Sequence, residues 1–532
     1  MLDRRQVLSM ATRGAMLAGI PAGALHAEAS PEVMSGIVSV RQFGATGDGH
    51  TLDSPAINRA IEAAAARGGG TVFFPAGTYA CYSLHLWSHI CLYLDQGATI
   101  LAASVPMEGT TTGGYDAAEP QDPAYEAFQD YGHNHWHNSL LWGEDIHDVS
   151  ILGPGLIWGK GLSRGHDFDK ELPDTKKPGV GNKAIALKNC RNVVLRDFSI
   201  LKGGWFGILA TGVDNLTIDN LKIDTDRDGM DIDCCRNVRV SNCTVNSPID
   251  DGICPKSSYA LGYARVTENV TITNCFVTGS YVIGSVLDGS WKRMPEEFNK
   301  YATGRIKCGT ESNGGFRNIT IANCVFEHSR GFALETVDGA VCEDITFTGV
   351  AMRGSMNAPL FLRLGRRMRG PADAKVGTLR RVLISNVTSS DGMQLPSILA
   401  GVPGYPLEDI KISDVYLHQV GGGDAAMAKL SPAEQEQAYP EPTMFGDLPA
   451  TGLYVRHVRN LELSNVEIST AKPDARPAFA LVDVEGADCF RVRAPRPTSA
   501  PAFSLRRVQD FRVFGSQFVA DAKMAAVDET SL

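Results

Sequence analysis

The sequence predicts an all-β chain, a parallel β-helix (β-solenoid) with an N-terminal helical cap, and three observations carry that prediction. One strand phrase keeps returning: Asn192-Val-Val-Leu-Arg, Asn215-Leu-Thr-Ile-Asp, Asn237-Val-Arg-Val-Ser, Asn269-Val-Thr-Ile-Thr and Asn318-Ile-Thr-Ile-Ala. The first three asparagines stand 23 and 22 residues apart, the length of one solenoid coil, and weaker copies follow at Asp344, Val382, Asp409 and Asn460. Two acidic clusters, Asp224 to Asp231 and Asp250-Asp251, keep the same spacing, with 22 positions between Asp228 and Asp250. Leucine-rich repeats have a similar period, but their leucine spacing and helical segments are missing. A β-sandwich would not repeat one phrase so regularly.

Taken in chain order, Arg4-Arg5 precedes an apolar run from Gly14 to Ala24, and Leu25-His26-Ala27 offers a small-residue cleavage site. Residues 1–27 therefore read as a twin-arginine signal peptide, which predicts a periplasmic or secreted mature protein. That run is bounded by Arg13 and falls short of the roughly 20 apolar residues of a spanning helix; no later segment reaches that length either, so no membrane span is expected. Residues 36–532 are expected to form a single parallel β-helix domain, acting as a monomer. Phe43 to Gly49 leads into an Ala-rich helix from Ser54 to Arg67 that stops at Gly68-Gly-Gly, placed to cap the first coil and cover its strand edge.

His133-Asn-His135-Trp136-His137 alternates like a strand, which would set three imidazoles on one face. A sugar-binding wall using His135 and Trp136 is preferred there to a metal site, because no thiol partner is near. In the repeats that follow, inward Val, Ile and Leu form ladders and the asparagines are placed to hydrogen-bond along the turns. Cys190, Cys243, Cys275 and Cys324 each follow an asparagine at a strand end, so the 12 cysteines are expected to be mostly free thiols in a buried stack. Without a CxxC pair no zinc is predicted, and no cofactor is expected.

Two insertions leave the rhythm, 286–303 with Trp291, Lys292 and Arg293, and 421–449, rich in Gly, Ala, Pro and Glu; segments of that size usually wall a site or move over it. Trp205, Trp291 and Tyr259 could stack on sugars, with burial the commoner explanation of each. The basic run Arg363 to Arg369 is expected to be a solvated turn. A formal charge of −10, from 50 Lys and Arg against 60 Asp and Glu, excludes nucleic acid and anionic membranes as partners and leaves a carbohydrate.

Carboxylates brought together from adjacent coils are what glycosidic-bond hydrolysis requires, and their mutual repulsion should raise at least one pKa beside an ionised base. Asp224-x-Asp226-x-Asp228-Gly229 also begins like a calcium loop, but its twelfth position is Cys235 and no helices flank it. Calcium in an acidic groove would instead suit a lyase with Lys256, Arg305 or Lys307 as base.

Asp226-Arg-Asp228-Gly-Met-Asp231, Asp250-Asp251-Gly-Ile-Cys-Pro-Lys256-Ser257 and Arg305-Ile-Lys307, in that order, resemble the motifs of glycoside hydrolase family 28, the polygalacturonase group of right-handed parallel β-helix enzymes. The similarity runs over most of residues 38–350, including Val40 to Gly49 and Gly315 to Ile321. It implies Asp250 as general acid, Asp228 and Asp251 as the pair that orients and deprotonates a water, and inversion at the anomeric carbon. It also implies that Arg305 and Lys307 grip a uronate, with Lys256, Asp226 and Asp231 lining the substrate. The family's first motif asparagine is here Asp226, and Gly279 stands where its Gly-His-Gly histidine would be. An exo-acting hydrolase of pectin-type oligosaccharides is expected, with a pectate-lyase-like enzyme or a non-catalytic carbohydrate-binding β-helix as the alternatives.

Overall fold

In Asp214–Asp219 the apolar and polar residues alternate, and Leu216 and Ile218 point inward and are fully buried while Thr217 faces out. The same alternation in every coil builds the molecule. The computed structural model describes residues 36–109, 113–120, 122–164, 172–495 and 500–532; the twin-arginine segment expected at residues 1–27 lies outside them. From Ile37 onward the chain forms one compact unit, a right-handed parallel β-helix.

Three parallel ladders run its length. The first stacks Lys183–Lys188, Phe206–Thr211, Asp228–Asp233, Ile253–Lys256, Ile306–Cys308, Phe332–Thr336 and Leu360–Leu364. The second carries the repeated phrase, Arg191–Arg196 on Asp214–Asp219 on Arg236–Ser241 on Thr267–Thr273 on Phe316–Ala322. The third is made of three-residue strands such as Lys222–Asp224 and Thr244–Asn246. Asn192, Asn215, Asn237, Asn269 and Asn318 all take φ between 53° and 59°, the left-handed region that asparagine tolerates. Each donates its amide to the residue one coil earlier, Asn215 to Asn192 at 3.0 Å, Asn237 to Asn215 at 3.2 Å and Asn269 to Asn237 at 3.1 Å.

All 12 cysteines are free thiols, but they do not share one stack. Cys275 touches both Cys243 and Cys324, whereas the register of Arg191 on Asp214 on Arg236 puts Cys190 in a different row, above Val213 and Cys235. At the N-terminal end, the helix Ser54–Ala65 lays Ile57, Ala60, Ile61 and Ala64 on the first coil, two residues shorter at its C-terminus than the sequence suggests. The opposite end is closed by Ala522–Ser531, which pairs antiparallel with Phe503–Phe514. No helix among the described residues is long and apolar enough to cross a membrane.

The first ladder is buried on both faces, and its outward row shows what covers it. That row runs Ala186, Leu209, Asp231, Cys254, Lys307, Ala333, Phe361, Ile398. Trp136 packs over the apolar residues at one end, and Phe445 and Leu448 of the 421–449 insertion pack over those at the other. Between the two covers the row is polar.

Candidate active site

Asp228 opens the strand Asp228–Asp233, and backbone bonds from Gly229 to the Asp251 carbonyl (2.9 Å) and from Met230 to that of Gly252 (3.0 Å) seat the Asp250-Asp251 loop beside it. The approach needs glycine: a Cβ on Gly229 would stand 2.4 Å from the Gly252 carbonyl oxygen. Carboxylate oxygens of Asp228 and Asp251 and the Cys254 thiol come within 4.8 Å of one another.

The three acids differ in electrostatic state. Burial, with Asp250 and Asp231 adding repulsion, pushes the Asp228 carboxyl well above the usual carboxylate range, and its Oδ1 has no protein partner. Asp251 is equally buried, which opposes ionisation, but Lys307 and Arg305 outweigh burial and hold it well below that range. Arg305 Nε donates to it at 2.7 Å and Lys307 Nζ forms a close ion pair. Asp250 has the most open carboxylate of the three, with its side chain 28% exposed and paired with Arg227 at 2.9 Å; that guanidinium lies over the Trp205 ring at 4.5 Å.

Around this triad, Asp231 is fully buried and pushed up by burial, 3.9 Å from Lys256 Nζ and 3.6 Å from His133 Nδ1. Lys256 bonds Glu311 at 3.2 Å, and although burial opposes its charge, Asp231 and Glu311 beside it favour the cationic form. Asp226 sits to one side, bound to Arg164 and, at 2.9 Å, to Lys202. Those two cations, with Trp158, Lys160 and Ser285, line a cavity of about 380 Å³.

Arg305 and Lys307 do belong to this cluster, but both are buried and both point at Asp251. His135 and Trp136 do not form an open wall. Tyr131–Asn134 is a 3-10 turn rather than a strand, and the three imidazoles diverge. His135 stacks on Tyr131 and bonds its carbonyl, His137 pairs with Glu144, and only His133 reaches the acids. Trp136 is buried with its indole N–H on Thr211. Burial lowers the His133 pKa to about 3, so its ring is neutral.

The basic run is no solvated turn either. Arg363 is 1% exposed and donates to the carbonyls of Gly401, Glu434 and Gln435, while Arg367 pairs with Asp338. Tyr259 packs against Tyr125 and Phe128, whereas Trp291 is exposed beside Tyr281 on a small hairpin.

Gly279 has a physical reason to lack a side chain. A Cβ there would lie 2.7 Å from the Thr303 nitrogen, because Thr303-Gly304 packs against it backbone to backbone and Gly304 N–H donates to the Asp250 carbonyl at 2.9 Å. The end of the first insertion thus fills the space a histidine would need.

Glu311, Glu335 and Glu441 were not singled out by the sequence, and His133 entered only as one of three alternating imidazoles. Glu335 had a faint signal, an acid within the otherwise apolar strand phrase Phe332-Ala-Leu-Glu335. At the group formed by Asp228, Asp251 and Cys254, burial raises the thiol, and Arg305, Lys307 and Lys256 already bring positive charge to the acids.

A right-handed parallel β-helix with a buried acid cluster, flanked by cations, on one sheet defines the class of this protein. Within it, the chain is similar to polygalacturonases. A family described as rhamnogalacturonase A/epimerase, pectate lyase-like, matches residues 37–84, and one described as right handed beta helix region matches 174–290. A probable polygalacturonase of Vitis vinifera is 22% identical over 82% of this chain and 85% of its own length. The exo-poly-alpha-D-galacturonosidase of Dickeya chrysanthemi is 28% identical over 45% of this chain, which spans only 36% of that relative. A solved family 28 exopolygalacturonase of Yersinia enterocolitica superposes with a TM-score of 0.60 at 19% identity, over 85% of this chain and 78% of that one, and establishes the fold. The resemblance drawn from the motifs is borne out.

Proposed function

We propose that this protein is a glycoside hydrolase that cleaves uronate-containing, pectin-type polysaccharides or oligosaccharides from the chain end, with inversion. The observation that carries this reading is the close placement of acids from adjacent coils, with burial raising the Asp228 carboxyl while Arg305 and Lys307 hold that of Asp251 down. Inverting hydrolysis needs one proton donor and one carboxylate that activates water. In a coupled cluster the proton belongs to the group rather than to one residue. On this reading, substrate displaces Arg227 from Asp250, the shared proton moves from Asp228 to Asp250, and Asp250 gives it to the glycosidic oxygen as the bond to the anomeric carbon breaks. Asp228, now ionised, and Asp251 orient a water; its oxygen bonds to the anomeric carbon and its proton returns to Asp228. Lys202 and the cavity beside Asp226 are placed for a neighbouring sugar, and Asp231 and Lys256 support the triad from below.

The 421–449 insertion, which packs Phe445 and Leu448 over the residues beyond Lys307, supports exo action, in keeping with the names of the Dickeya chrysanthemi and Yersinia enterocolitica proteins. Elimination would need a neutral amine or guanidine, and Lys256, Arg305 and Lys307 all lie against carboxylates that favour their cationic forms. The twin-arginine segment fits export to the compartment where such polymers occur, which cell fractionation checks.

The test is reducing-sugar release from oligogalacturonate by purified protein. Asp228→Asn, Asp250→Asn and Asp251→Asn should each lower turnover by about 10²–10⁴-fold. Proton NMR of the first-formed anomer should show inversion; net retention, or an unsaturated product with ultraviolet absorbance, would remove the mechanism.

A further inference from the structure

The 421–449 insertion places a carboxylate of its own on the clamp. Glu441 Oε2 accepts from Arg305 Nη2 at 3.0 Å and lies 3.4 Å from Arg330 Nη1, and its Oε1 accepts from Asn357 Nδ2 at 2.5 Å. Two guanidinium groups and an amide from three stretches of the coil thus converge on one carboxylate, the geometry that charge-assisted recognition of a carboxylate uses. Arg305 and Asn357 are only 2% and 3% exposed beneath it, and the hydroxyl of Tyr439, two residues earlier, lies 3.0 Å from that of Thr310.

Glu441 is not needed to hold the insertion down. Arg363 binds the carbonyls of Glu434 and Gln435, Arg456 and His457 bind the Glu434 carboxylate, and Phe445 and Leu448 are sunk in an apolar cluster with Phe361 and Tyr454. A carboxylate added on top of that anchoring stands on the same arginine that faces the catalytic acids.

We propose that Glu441 is a specificity-determining residue: it fills a carboxylate site built from Arg305, Arg330 and Asn357, and the carboxylate of a terminal uronate takes its place when substrate binds. This rests on the reading of the protein as a uronate-chain hydrolase. A neutral sugar brings no charge to exchange for that of Glu441, so it leaves the site shut. Discrimination between uronate and neutral sugar then comes from the competition as well as from the clamp.

Calorimetric titration of the full chain with galacturonate and with galactose tests this. Glu441→Gln weakens the internal ligand and should tighten galacturonate by roughly tenfold or more, leaving galactose unchanged. Glu441→Asp keeps the charge but shortens its reach and should give a smaller gain, which covers the case in which the glutamine variant folds poorly. Arg330→Gln should weaken galacturonate. If oligogalacturonate is hydrolysed normally but neither Glu441 variant binds galacturonate more tightly, the inference falls and the hydrolase reading stands. If no variant binds galacturonate and none hydrolyses oligogalacturonate, both fall.

Discussion

Glu335 is fully buried on the coil after Lys307; burial lifts its carboxyl to about 7 against the pull of Lys307 and Arg305, and Thr310 donates to it at 3.1 Å. The folded chain keeps this proton at pH values where the unfolded chain has lost it. Stability should therefore fall as pH rises from about 4.5 to about 7, by roughly 3 kcal/mol from this group alone, and level off above. Glu335→Gln keeps the acceptor for Thr310 and should flatten the melting temperature over that interval. An unchanged slope would place the titration elsewhere. Asp251 works in the other sense, since its lowered pKa contributes stability at neutral pH that is lost on acidification. The sequence revealed Asp228, Asp250 and Asp251 because their spacing equals a coil, a local regularity. It did not reveal Glu441, which lies 136 residues from Arg305, nor His133, whose turn is set by packing against Phe206 rather than by its own alternation.

At the scale of elements, the repeated asparagines were legible because one residue does two jobs, taking the left-handed conformation and bonding the coil before. Asn237→Ala should lose both, and a drop of about 1–2 kcal/mol in denaturant unfolding is expected, with activity little changed. Gly304 is the contrasting case. Its φ is +45° and a Cβ would come within 2.1 Å of the Thr278 carbonyl, so Gly304→Ala must push the segment off Gly279. Because Gly304 N–H also holds the Asp250 carbonyl, this variant should lose activity along with more than about 2 kcal/mol of stability. Loss of stability without loss of turnover would separate that segment from the site. Insertions were visible in the sequence only as breaks in rhythm; what they cover depends on contacts that no periodicity encodes.

For the whole molecule, ladder after ladder of parallel pairing means that coils lean only on their neighbours. The order of the coils from Asn192 to Asn460 was therefore readable, while the two ends had to be solved differently. The helix Ser54–Ala65 closes the first coil with an apolar face. At the other end Ala522–Ser531 runs backward across Phe503–Phe514, the last full strand. The reversal has a consequence for growth. A parallel solenoid ending in an open strand offers the next chain a template, coil upon coil, and nothing in the repeat itself says where to stop. The backward strand presents the wrong polarity for that continuation and carries Lys523, Asp528 and Glu529. Cutting the chain before Ala522 should turn a terminator into a seed: light scattering should rise with concentration and thioflavin-type fibres or end-to-end chains should appear, while the intact protein stays clear under the same conditions.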